Sequence, residues 1–202
     1  MDNRDKIIEI AFLLSLKNGF DRVSIKRIQD ESGIAVGSIY YYFNDKNEIL
    51  VSIIKKYFIG IVPEFKEAVK DFNGSFMEKM YFVFTYKANC FNKEKFHLNS
   101  LASHEFNNKN YFMLGMSIFH QYPEARSLFY ELNEELHDFY NELIQEAIEK
   151  GEIREDIDIK ALNVFIRTLL EGYIDLWLNQ SEFSFEDIVE DNMKMLWEAI
   201  KK

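Results

Sequence analysis

The stretch from Val23 to Leu50, VSIKRIQDESGIAVGSIYYYFNDKNEIL, constrains this chain more than any other. Ser24 is suited to N-cap a short helix, because its hydroxyl can accept from the free amides of the first turn. Ile25 and Ile28 follow at helical spacing, and Gly33 interrupts the run where a left-handed residue lets the backbone turn sharply. A second short helix is expected over about Val36 to Phe43, with Ile39 and Phe43 on one side. Its other side carries Gly37, Ser38, Tyr40, Tyr41 and Tyr42. Two short helices joined by a tight glycine-containing turn make a helix-turn-helix, whose second helix is the one that enters a major groove.

The remaining sequence reads as helical throughout. Eight Gly and two Pro punctuate 202 residues, and alternating strand-like runs are scarce. A first helix over about Asp5 to Asn18 turns Ile7, Ile8, Ala11 and Leu14 to one side, with Gly19 as a left-handed C-cap. Phe20 and Val23 fill the gap beneath it. Asp45 and Glu48 form an Asp version of the capping box at the start of a longer helix. That helix runs toward Pro63, where it ends or kinks, because proline removes a backbone donor and clashes with the preceding turn. Further helices are expected over about 76–91, 95–107, 111–120, 123–150, 159–178 and 185–201. The fold class is therefore all-α, with a boundary near residue 60 between a small N-terminal unit (1–60) and a larger helical one (61–202).

Charge and composition narrow the setting. The whole chain carries −10, which on its face disfavours nucleic acid. Residues 1–60 nevertheless hold nine Lys or Arg against eight Asp or Glu, while residues 61–202 hold fifteen against twenty-six. A near-neutral head can present Arg4, Lys6, Lys26, Arg27 and Lys46 to phosphates while the acidic body is held away. One cysteine, Cys90, excludes an internal disulfide and suits a reducing compartment. The opening MDNRDK is no signal peptide, and the longest apolar runs are far shorter than the roughly 20 residues of a membrane span. A soluble, cytoplasmic protein is expected.

Enzymatic motifs are missing: there is no G-x-S-x-G, no H-E-x-x-H, no phosphate loop and no dinucleotide fingerprint. Glu94-x-x-His97 and Glu134-x-x-His137 fit the spacing found in di-iron carboxylate bundles. Such a site needs a further Glu from each of two other helices, and none stands out, so a helical di-metal enzyme is the weakest alternative. Neither a catalytic residue, a metal nor a cofactor is expected.

Gly33, Ile34, Gly37, Ser38, Ile39, Tyr40, Tyr42, Phe43, Lys46 and Leu50 match G-V-x-x-G-[ST]-[IL]-Y-x-[YH]-F-x-x-K-x-x-L, the pattern of the tetracycline-repressor (TetR) family. Arg4, Ile7, Ile8, Ala11, Leu14, Gly19, Phe20 and Ser24 also sit where that family has its first helix and turn. The resemblance covers about residues 1–60; beyond them only the helical architecture is similar. It implies an N-terminal three-helix DNA-binding domain and a C-terminal helical domain for ligand binding and dimerisation. The function implied is that of a dimeric repressor on a palindromic operator, released by a small aromatic or lipophilic effector. A DNA-binding adaptor whose body takes a protein is the alternative.

By the same resemblance, Ser38, Tyr40, Tyr42 and Lys46 hold phosphates, Gly37 and Tyr41 approach the bases, and Lys26 is a further candidate. Two residues depart from the pattern. Ala35 replaces the usual Ser or Thr cap. Val36 stands where many members carry Lys or Arg, which removes a guanine contact and leaves an apolar contact to a thymine methyl in its place. The aromatic-rich body suggests an effector pocket, for which the candidates are Phe82, Tyr86, Cys90, His104, Phe112, Met116, Phe119 and Tyr130, with His97 and His120 as further polar groups. For each of these, core packing or an ordinary surface role is the competing reading. The last two helices are apolar over much of their circumference, which means burial within the domain or a shared interface. The family's dimer interface points to Ile166, Leu170, Tyr173, Trp177, Met193, Leu196, Trp197 and Ile200.

Overall fold

A computed structural model describes residues 2–89, 108–180, 182 and 184–202, with the backbone alone at 87–89 and 108. Among them all regular structure is helical: α1 Asn3–Asn18, α2 Ile25–Ser32, α3 Val36–Tyr42, α4 Lys46–Ile54, α5 Val62–Asp71, α6 Phe76–Asn89, α7 Asn108–Gln121, α8 Arg126–Glu149, α9 Ile159–Asn179 and α10 Phe185–Ile200. The helix expected over 95–107 lies outside the described residues. Packing divides the chain into two units, one with described residues 2–62 and 108–131, the other with 63–89 and 132–202. By contacts, then, α7 clusters with the first sixty-two residues, and α8 contributes to both units.

Helix starts follow their caps. Asp2, Ser24, Asp45, Asp158 and Ser184 each accept a hydrogen bond from the amide three residues on, at 2.7–3.2 Å. Glu48 reaches back not to the Asp45 amide of a regular capping box but one residue further. Its two oxygens accept from the Asn44 backbone N–H at 2.8 Å and the Asn44 side-chain amide at 2.6 Å. Asp45→Ala removes the cap of α4 and is expected to cost about 1 kcal/mol in chemical denaturation. Gly19 has φ 79 and ψ 148, so it is positive in φ but extended rather than the left-handed cap expected; its N–H still closes on the Ser15 carbonyl at 2.8 Å.

In the first unit α1 is the central helix. Besides Ile7, Ile8, Ala11 and Leu14, it buries Ile10, Phe12, Leu13 and Leu16, because α2 and α4 pack on one side and α7 on another. The long helix expected from Asp45 stops at Ile54. One π-helical turn follows at Lys55–Ile59, closed by Gly60 N–H on the Lys55 carbonyl at 2.9 Å. α5 then begins afresh at Val62, with Pro63 in its first turn, where a missing donor costs little. The open question at Pro63 is thus answered by a separate helix. The helix expected from Pro123 also begins later. Pro123–Ala125 forms a 3-10 turn, and Arg126 caps α7 by donating to the Phe119 and His120 carbonyls at 2.9 and 3.1 Å.

In the second unit α10 packs on α6 and α9. Tyr173 of α9 stacks on Phe84 at 5.4 Å and donates to its carbonyl at 3.0 Å. A polar seam joins α8 to α9: Asn163 donates to the His137 carbonyl at 2.8 Å and the Asn141 side chain at 2.7 Å, and Arg167 to Asn133 at 3.1 Å. No helix among the described residues is long and apolar enough to cross a membrane.

Candidate nucleic-acid interface

The turn between α2 and α3 is built as its sequence dictates. Gly33 is left-handed (φ 71, ψ 8), a conformation costly for any residue with a Cβ, and its N–H closes α2 on the Gln29 carbonyl at 2.8 Å. Ser32 Oγ accepts from the Ile34 amide at 3.1 Å. Ile28, Ile34, Ile39 and Phe43 are buried, and both short helices pack on α1 and on each other.

That burial leaves one face of α3 outward. Tyr41 is 83% exposed and Tyr40 53%, Gly37 and Ala35 are exposed, and Val36, Ser38 and Tyr42 are half-buried. The Tyr41 and Tyr42 rings meet edge to face at 5.1 Å. Ala35 caps nothing with its side chain, as the departure from the family pattern implied. Every DNA-contact candidate therefore lies on α3 or beside it: Lys26 is exposed on the first turn of α2, and Lys46 opens α4.

Two cations of this unit, Lys46 and Arg4, are engaged within it. Lys46 Nζ donates to the Asp21 carbonyl at 3.0 Å and lies 4.5 Å from the Phe20 ring centroid. Burial lowers its pKa from the usual ammonium range, with the Asp21 charge opposing. Arg4 donates to Ser52 Oγ at 3.3 Å and sits 5.3 Å from the Phe43 ring centroid.

Two contacts that no sequence signal announced tie α7 to this head. Tyr111 donates its hydroxyl to the Tyr57 carbonyl, within the π turn, at 2.7 Å, and stacks on Phe58 at 4.7 Å. Tyr57 in turn stacks on Phe12 at 3.9 Å. Gly115 permits this approach, since a Cβ there would stand 2.9 Å from the Phe58 ring. At the other end Tyr122 donates to the Asp21 carboxylate at 2.5 Å and meets Phe20 edge to face at 5.5 Å. Burial, then that carboxylate, pushes the Tyr122 hydroxyl well above its usual range, so it stays a donor. The partners are 54 and 101 residues apart.

The effector candidates fall into separate groups. Phe112, Met116 and Phe119 share a face of α7, and Tyr130 meets Phe119 at 5.8 Å, all in the first unit. Phe82 and Tyr86, 5.3 Å apart, belong to an aromatic cluster with Phe65 and Phe72 in the second. Cys90, His97 and His104 lie outside the described residues, as does Glu94. His120 is exposed at the end of α7.

Of the dimer candidates, Ile166, Leu170, Tyr173, Met193, Leu196 and Ile200 are buried within their own unit. Trp177 is half-buried against Phe185 at 5.7 Å, and Trp197 is exposed. The outward side of α9 is a different stripe: Ala161, Phe165, Thr168, Gly172 and Leu176, with Val164 beside it.

A helix-turn-helix that presents its second helix outward is the geometry of a DNA-binding head. Residues 7–53 match the profile of the bacterial regulatory proteins, tetR family. That N-terminal segment is therefore of the family's DNA-binding type. The chain is 23% identical to the fatty acid metabolism regulator protein of Bacillus subtilis, over 96% of this chain and 94% of that one. Two solved structures share the fold. FadR from Bacillus subtilis in complex with stearoyl-CoA is 20% identical with a TM-score of 0.70, covering 95% of this chain and 96% of that one. A structure from Saccharomonospora viridis in complex with choline is 18% identical with a TM-score of 0.78, covering 98% and 97%.

Proposed function

We propose that the chain is a repressor that binds a palindromic operator as a homodimer and leaves it when a fatty acyl effector binds. Its functional division is a DNA-reading head, 1–60, and an effector-binding and dimerising body, 61–202. The observation that carries the DNA half is the outward face of α3, where two large tyrosines are exposed on a helix pinned by buried Ile39 and Phe43. Exposed aromatics on a helix so firmly held have no packing role to account for them. The effector half is supported by the relative solved with stearoyl-CoA and by the aromatic groups on α6 and α7. The dimer is supported by the outward stripe on α9, whose spacing of three and four suits a second helix.

Within the head, Ser38, Tyr40, Tyr42, Lys46 and Lys26 contact phosphates, while Val36, Gly37 and Tyr41 face the bases. Lys46→Ala is expected to weaken binding to every DNA sequence alike and to lower the slope of log affinity against log salt by about one. Binding titrations at several salt concentrations, on operator and on unrelated duplex, check this. Loss of discrimination at unchanged nonspecific affinity would give Lys46 a different role.

The whole proposal is tested by selecting duplexes from a random pool with the purified protein, then adding stearoyl-CoA or choline to the complex. Release by stearoyl-CoA alone supports the acyl reading. Release by neither compound removes it, and failure to enrich any sequence removes the operator reading as well.

A further inference from the structure

We infer that α3 reads thymine methyl groups and leaves guanine unread, so that the half-site positions facing it are A·T pairs. This rests on the DNA-binding proposal above and names the sequence class that the same site takes.

The argument starts from what α3 can offer. The commonest specific contact in a major groove is Arg or Lys to guanine O6 and N7, and the commonest adenine contact is Asn or Gln to N6 and N7. α3 reads VGSIYYY: it holds no cation and no carboxamide. Its neighbours do not make up the lack. Arg4 is held by Ser52 and Phe43, and Lys46 by the Asp21 carbonyl and Phe20. Asn44, just past α3, gives its amide to Glu48 at 2.6 Å. Lys26 and Arg27 stand on α2, the helix that crosses the backbone in this motif.

What α3 does present is apolar surface with a few hydroxyls. Ala35 and the Tyr41 ring lie outward with half-buried Val36 between them, Gly37 lets the backbone come close, and the Tyr41 ring is braced by Tyr42 at 5.1 Å. Thymine is the only base whose major-groove edge carries a methyl group, so it is the base against which such a surface gains most. Burying one methyl is worth about fourfold in affinity. Guanine offers two acceptors side by side; against Val36 or the face of a tyrosine ring they would lose their water, and a single Ser or Tyr hydroxyl supplies one donor where the usual Arg fork supplies two.

The test uses the intact protein and the duplexes it enriches from a random pool. Within one selected duplex, each thymine of a half-site is replaced in turn by deoxyuridine, which lacks only the methyl. Each guanine is replaced by 7-deazaguanine, which lacks the N7 acceptor. Deoxyuridine is expected to cost about fourfold at two or more adjacent positions, and 7-deazaguanine less than twofold at every position. In Tyr41→Ala the deoxyuridine penalty should vanish at the positions facing that ring; at 83% exposure the substitution leaves the fold intact, which an unchanged melting temperature verifies. A tenfold loss with 7-deazaguanine and none with deoxyuridine overturns the inference while upholding DNA binding. Enrichment of no sequence overturns both.

Discussion

Phe165→Glu combined with Leu176→Glu is expected to make the protein monomeric and to lower operator affinity by about two orders of magnitude. Both side chains lie on the outward side of α9, 38% and 36% exposed, with Ala161, Thr168 and Gly172 between and beside them. Small residues in that stripe let another helix come close, and nothing stands within 4 Å of where a Gly172 Cβ would be. The opposite stripe of the same helix, Leu162, Ile166, Leu170 and Tyr173, is buried and untouched by the substitutions, so each subunit should keep its fold. A carboxylate shut into an apolar helix pair is unpaired and desolvated, which breaks association far more than loss of a contact would. Once subunits separate, each head binds its half-site alone and loses the effective concentration that linkage supplies, a factor of roughly 10² to 10⁴. Sedimentation gives the assembly state, binding titrations on whole and half operators give the affinity, and the melting temperature guards against unfolding. A doubly substituted protein that remains dimeric moves the interface elsewhere, with Trp197 and Met195 on the exposed flanks of α10 next in line.

What the sequence disclosed and what it did not follow one physical division. Local rules carried the head. Ser24 and Asp45 cap as their side chains require, Gly33 is left-handed, and Ile28, Ile39 and Phe43 are buried at the spacing that suggested they would be. Such features depend on a few consecutive residues, so a single stretch of chain contains the information. The π turn at Lys55–Ile59 was not legible, because nothing in KKYFI distinguishes it from an ordinary helical turn; it is stabilised from outside, by Tyr111. The same holds for Tyr122 on Asp21, a contact across 101 residues. In α9 the periodicity was visible but its direction was not. Two stripes share that helix, and for the richer one the sequence left burial within the domain and a shared interface both open; Leu162, Ile166, Leu170 and Tyr173 are buried within the unit. A large apolar residue announces burial, but not which surface buries it.

Stearoyl-CoA is expected to bind the free protein between about 5-fold and 150-fold more tightly than it binds the operator complex, the usual span of an allosteric coupling. The physical route lies within the first unit. Phe112, Met116 and Phe119 give α7 one face for a lipophilic effector, while Tyr111 and Tyr122 hold the two ends of α7 against the head. An effector that displaces α7 therefore acts on the π turn after α4 through Tyr111. It acts on the Asp21 turn, which holds Lys46, through Tyr122. Only a ligand with different affinities for the two arrangements can shift them, and by linkage the operator must weaken the ligand by the same factor as the ligand weakens the operator. Tyr111→Phe keeps the ring on Phe58 but removes the hydroxyl that donates to the Tyr57 carbonyl, at a cost of about 0.5–1.5 kcal/mol. With the hydrogen bond between the π turn and α7 gone and only the ring stack left, the coupling factor should fall toward one while stearoyl-CoA still binds. Calorimetric titration of stearoyl-CoA into wild type and Tyr111→Phe, each with and without operator, gives all four affinities. Equal affinities in the wild type would mean that the compound, even if bound, is no transcriptional signal. An undiminished ratio in Tyr111→Phe would move the route away from the π turn and leave Tyr122 and Asp21 as the link to Lys46.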